Sequence, residues 1–156
     1  MLIAVEVVSF ALESDKHIPL VVMRESRGER SFTIPVSVTE ANAIAMHSLN
    51  VSSEKPLAID LVKNITETLG GILEQVVLQQ SGEAFSAHLF IVSKAQAVVI
   101  NCGAGDALAL ALRCDVPVFI DDAMLDTNES RDGLHGQKLR THIAQTDTLE
   151  LGRYFL

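Results

Sequence analysis

The run Asn101-Cys-Gly-Ala-Gly-Asp-Ala-Leu-Ala-Leu-Ala-Leu-Arg113, which leads into Val116-Pro-Val-Phe-Ile120, decides the fold of this chain. An apolar strand ends at two glycines without side-chain bulk, and the chain passes into a helix whose interior is almost wholly alanine and leucine. A helix that is apolar on every side is a buried helix. The apolar run after it reads as a second buried strand, so the unit has β-α-β order. Asp106 falls in the helix's first turn and Arg113 in its last, where each charge suits the helix dipole.

Toward the N-terminus the chain opens with three strand-like runs, Leu2 to Leu12, Ile18 to Glu25 and Arg30 to Val38, joined by polar turns. In the third, Phe32, Ile34, Val36 and Val38 alternate with Ser31, Thr33, Pro35 and Ser37, the period of a half-buried strand. Pro35 cannot donate to a ladder, which predicts an edge or a bulge there. Thr39 offers an N-cap for a helix over Glu40 to Leu49. A second helix follows Pro56, with Ala58, Leu61, Val62, Ile65 and Leu69 at helical spacing and Asp60, Lys63, Asn64 and Glu67 on its polar side. Gly70-Gly71 stops it. Ile72 to Gln80, Ala84 to Val92 and Ala97 to Cys102 read as three further strands joined by hairpin connections.

These elements predict one α+β domain over residues 1–126, with a mainly antiparallel mixed sheet, helices packed on it, and a polar tail over 127–156. Each half runs three strands and then a helix, which suggests an internal βββα pseudo-repeat with Asn42 and Asp106 as counterparts. At 156 residues and 48% hydrophobic, the chain can bury a core without disulfides or metal. The net charge of −8 falls on residues 1–126, because the tail's acidic and basic residues balance. Nucleic acid would therefore meet an unfavourable overall field. Arg24, Arg27 and Arg30 form the one dense basic group of residues 1–126, interleaved with Glu25 and Glu29. No apolar run reaches transmembrane length, so no membrane partner is expected. Cys102 and Cys114 flank the buried helix, too far apart along it to bridge. Their use, together with a start that carries no basic leader, predicts a reducing cytoplasm.

Five blocks together resemble the bifunctional nuclease domain family: Ile34 to Ala45 (IPVSVTEANAIA), Lys55 to Asn64 (KPLAIDLVKN), Leu69-Gly70, Gly82 to Leu89 (GEAFSAHL) and Gly105 to Phe119 (GDALALALRCDVPVF). The resemblance covers about the first four-fifths of the chain. It implies a compact α and β domain that self-associates, a dimer being favoured, in a family with members that cleave both DNA and RNA. Against the family's usual blocks, Lys55 stands for an arginine, Ile59 for a histidine, Asn101 for an aspartate, Gly103 for an arginine, Ala104 for a proline and Gly105 for a serine. Glu40, Asp60, Asp106 and Arg113 keep the pattern.

Phosphodiester hydrolysis needs carboxylates that hold a metal, or histidines, near cations that take up phosphate charge. Glu40, Asp60 and Asp106 are the candidate catalytic residues and ligands for Mg²⁺ or Mn²⁺ if three helix starts converge, with no metal expected to be needed for folding. Lys55, Lys63 and Arg113 are the candidate phosphate contacts. The competing reading of each carboxylate is an acid in the first turn of a helix, placed there by the dipole. The five histidines form no close ligand pair in sequence. Cys102 stands where a helix start could acidify a thiol, but with no histidine or lysine beside it a small buried hydrophobe is the better reading. Two functions stay open: a metal-assisted DNase/RNase of the family type, and a catalytically silent oligomeric module for interaction or ligand binding.

Overall fold

The structure, a computed structural model, describes residues 1–13 and 16–125, so the tail expected over 127–156 lies outside the described residues. Seven strands are present: β1 (Leu2–Leu12), β2 (Pro19–Glu25), β3 (Ser31–Pro35), β4 (Ile72–Ser81), β5 (Ala84–Val92), β6 (Ala97–Gly103) and β7 (Val118–Asp121). The helices are α1 (Val38–Ser48), α2 (Ala58–Thr68) and α3 (Ala104–Cys114), with one more helical turn over residues 122–125.

All seven strands form one mixed sheet in the order β3-β2-β1-β7-β4-β5-β6. Within each half, β1-β2-β3 and β4-β5-β6, the pairing is antiparallel, and β7 sits between the halves, antiparallel to β1 and parallel to β4. A helix follows the outer strand of each half, so the βββα repeat is present in the fold. Its register differs from the expected one. Ser37 and Gly103 are the two N-caps, which makes Glu40 the counterpart of Asp106 and pairs the buried Ala41, Ile44 and Ala45 with Ala107, Leu110 and Ala111. Burial fixes this phase, because both helices must turn the same stripe to the core. Asn42 falls elsewhere, with its carboxamide oxygen buried and without a hydrogen-bond partner.

Five strand-to-strand steps separate β3 from β5, about 24 Å if the sheet were flat. Yet the rings of Phe32 on β3 and Phe85 on β5 stack with centroids 6.4 Å apart. The sheet is therefore rolled, and bulges in the equivalent strands β1 and β4 help to bend it. α3 packs against α1, α2, β3, β4, β5 and β6, and every residue from Ala107 to Ala111 is buried. The alanines let the surrounding backbone approach while Leu108 and Leu110 fill the hollow.

Local chemistry moved three boundaries. The third strand was expected to reach Val38 but stops at Pro35, because Ser37 is the true cap in place of Thr39. Its Oγ accepts from the Glu40 N–H at 3.2 Å, and its own N–H donates to Glu40 Oε2 at 2.7 Å. That capping box starts α1 at Val38. The last strand begins at Val118, two residues later than expected, since Asp115 closes α3 in the left-handed conformation (φ 54°) and Pro117 has no N–H to give a ladder.

Candidate functional site

Glu40, Asp60 and Asp106 occupy the same place on three helices, the third residue after the cap. The structure brings two of them together. Glu40 reaches from α1 over the start of α3, where its Oε1 lies 3.6 Å from the point a side chain on Gly103 would begin. A Cβ on Gly105 would stand 2.5 Å from the Glu40 carboxyl carbon, so glycine there makes room for the acid. Burial first, and the Glu40 charge second, push the Asp106 carboxyl above the ordinary range. Burial, with the Asp106 charge, likewise raises the Cys102 thiol, so this cysteine is not acidified by the helix start.

Asp60 belongs to a different group. Its Oδ2 accepts from the Leu57 N–H at 2.8 Å, which caps α2, and its Oδ1 accepts from Arg113 Nε at 2.5 Å. The Arg113 side chain is 8% exposed and also donates through Nη1 to the carbonyls of Ala43 and Ala109, each at 3.0 Å. Lys63 Nζ donates to the Arg113 carbonyl at 2.9 Å and lies 3.9 Å from Glu67. One guanidinium thus ties α3 to α1 and α2. Burial alone would raise the Asp60 carboxyl, but the bonds from Arg113 and Leu57, with the Arg113 and His47 charges, outweigh it and hold it below the ordinary range.

Lys55 stands exposed in the segment before α2. The three carboxylates do not meet as one ligand set: among the described residues no three His, Cys, Asp or Glu side chains group so as to hold a metal ion. What Glu40 and Asp106 offer together is a pair of acids at two adjoining helix starts. What Arg113, Asp60 and Lys63 offer is a part-buried ionic fastening. Two arginines of the β2–β3 hairpin are also engaged, Arg24 with Glu6 at 3.2 Å and Arg30 with Glu25 and Asp122 at 2.5 and 2.7 Å.

The sequence did not reveal which way α2 faces. Its polar side, Asp60 and Lys63, is turned inward to α3, while Leu61, Val62, Ile65 and Leu69 point outward and no residue of the helix is buried. Ile59, where the family carries histidine, packs against the core. The one available signal was the polar stripe itself, whose acid finds a cation in Arg113 at the end of the neighbouring helix. A second apolar surface lies on the edge strand β6, where Val98, Val99 and Ile100 are exposed and no residue is charged. The opposite edge, β3, is short and ends in Pro35. Among the described residues no helix is long and apolar enough to cross a membrane.

Comparison with known proteins agrees with the blocks quoted above. The chain is 30% identical over 123 residues to an uncharacterised protein of Mycobacterium tuberculosis strain CDC 1551 / Oshkosh, an alignment covering 78% of this chain and 73% of the relative. An uncharacterised protein of Mycobacterium tuberculosis strain ATCC 25618 matches to the same extent. The profile of the family described as Bifunctional nuclease domain matches residues 21–132, from within β2 through α3 and past β7. With the rolled βββα pair and the matched blocks in their order, the chain is a member of the bifunctional nuclease domain family.

Proposed function

We propose that this chain serves as an oligomeric interaction module of the bifunctional nuclease domain family, acting in a reducing cytoplasm. The observation that carries the reading is the orientation of α2, whose polar side is fastened inward through Asp60 and Arg113 while its apolar side faces solvent. An exposed contiguous apolar surface on a folded domain marks a place where another molecule docks. The same fastening occupies Asp60 and Arg113, two of the candidate catalytic and phosphate-binding groups. The free thiols Cys102 and Cys114 suit the compartment.

Metal-assisted cleavage of DNA or RNA is the second reading, favoured by family membership and by the adjoining Glu40 and Asp106 carboxylates. In it these two acids bind Mg²⁺ or Mn²⁺, and Lys55, Lys63 or Arg113 contacts phosphate. The net charge of −8 weighs against it. Cleavage of single-stranded and duplex nucleic acid by highly purified full chain, with Mg²⁺, Mn²⁺ or chelator, separates the two. The interaction reading expects no metal-dependent cleavage. Cleavage that a Glu40→Ala/Asp106→Ala double variant loses, in a chain that still folds, would replace it with the nuclease reading.

A further inference from the structure

α2 rests on the fold through its ionic side and leaves a hollow of about 90 Å³ between itself, the start of β4 and the end of α3. Leu73 and Leu110 wall it and are buried, Cys114 is partly buried beside them, and Lys63, Glu67 and the exposed Ile72 stand at its mouth. Packed interiors leave few such gaps. Walls this apolar give a water too few partners, and since a cavity of about 150 Å³ holds benzene, this one suits about one branched aliphatic side chain. It lies on the Lys63 flank of α2, clear of Leu61, Val62 and Ile65.

The chain carries such a side chain within reach. Leu149, Leu151, Tyr154, Phe155 and Leu156 crowd the segment 149–156, which lies outside the described residues and beyond the family profile, whose match ends at residue 132. β7 runs parallel to β4 with Ile120 beside Leu78, so the chain leaves the sheet about 20 Å from Ile72. Residues 126–148 bridge that gap. A chain of their length reaches about 25 Å even as a random coil, and a linker matched to its span gives an effective concentration on the order of millimolar. A separate partner would need that concentration to compete.

Charge chooses the residue. Glu150 and Arg153 flank Leu151, as Lys63 and Glu67 flank the mouth of the hollow. Lys63 has three N–H donors, of which the Arg113 carbonyl takes one at 2.9 Å and leaves others for a carboxylate. We infer that residues 149–156 dock on their own chain, with Leu151 in the hollow, Glu150 on Lys63 and Arg153 on Glu67. The docked segment seats α2 from its open flank, and the outward stripe stays free for the partner of the interaction reading.

An engineered thiol tests it, because Cys114 lines the hollow and Cys102 does not. Leu151→Cys in the otherwise native full chain is oxidised with diamide at alkaline pH, since burial raises the Cys114 thiol, and the bond is mapped by peptide mass. The expected product is a monomer with the new thiol bonded to Cys114, formed at a rate independent of protein concentration and at least about tenfold faster than Thr146→Cys allows. With both native cysteines reduced, Leu151→Asp should speed alkylation of Cys114 by at least about fivefold while circular dichroism is unchanged, and Leu151→Met should keep the native rate. A bond to Cys102 instead, bonds only between chains, or alkylation of Cys114 that Leu151→Asp leaves unaltered overturns the inference. None of these outcomes bears on Leu61, Val62 and Ile65, so the interaction reading stands or falls by its own test.

Discussion

α2 and α3 are both 11 residues long, both start without a side-chain cap hydrogen bond from the cap residue, and both carry an acid at the third position, yet their fates are opposite. From Ala107 to Ala111 α3 is wholly buried, whereas no residue of α2 is more than partly buried. The comparison shows that periodicity announces a stripe without announcing its direction. α3 has no polar side in its middle and so must go inside. α2 has two usable sides, and the ionic partner at the end of α3 claims the polar one. The same residues that resemble catalytic motif positions are thereby the bolts of the helix layer.

The widest gap between the helices should appear on truncation. Leu108→Ala removes a fully buried side chain and is expected to cost about 2–5 kcal/mol, whereas Ile65→Ala, assayed at high dilution, should cost less than about 1 kcal/mol. Urea unfolding reads both. Equal costs would mean that α2 is buried within its own chain.

The bolt is next. Asp60→Asn strands the Arg113 guanidinium and should cost about 2 kcal/mol, an amount discounted for a carboxylate 35% exposed, and the loss should shrink in the Arg113→Met background. The pH dependence follows from the depressed carboxyl. Its stabilisation is complete above the unfolded pKa, about 4, and is lost as pH falls through the lower folded value. Asp60→Asn should flatten that part of the acid limb, and a variant with an unaltered limb would place the ionic tie elsewhere.

Gly105→Ala puts a Cβ 2.9 Å from that of Glu40 and should lower stability by about 1–2 kcal/mol, partly restored by Glu40→Ala. At the helix ends the effects become small. Asp115 holds φ 54° where α2 is followed by Gly70 at φ 78°, so Asp115→Gly should stabilise by about 0.5–1 kcal/mol in thermal unfolding. Asp106→Asn should change stability at pH 7 by less than about 0.5 kcal/mol, in the stabilising direction, because the folded state disfavours its charge.

The fold was legible where one residue type dominates a segment. The alanine and leucine of Asn101 to Arg113 admitted only a buried helix, and the strand runs were bounded by turns that the chain obeys, with Gly70 and Gly82 at positive φ. The register of the repeat was not, because alanine-rich helices align in several phases until burial chooses one. Ser37 was missed as a cap since Thr39 offers the same chemistry two residues later, and only the reciprocal bond from Glu40 decides between them. The candidate site was legible as residues but not as groups. That Glu40 meets Asp106 while Asp60 meets Arg113 depends on helix packing across a rolled sheet, which no local spacing encodes.

If α2's outer side is a docking surface, association should slow hydrogen exchange there. Deuterium uptake of the wild-type chain, followed peptide by peptide across a wide dilution series, gives the test. Exchange in residues 58–72 should quicken on dilution while α3 stays protected throughout. Uptake in α2 that is independent of concentration, or quickening confined to β6, would contradict it.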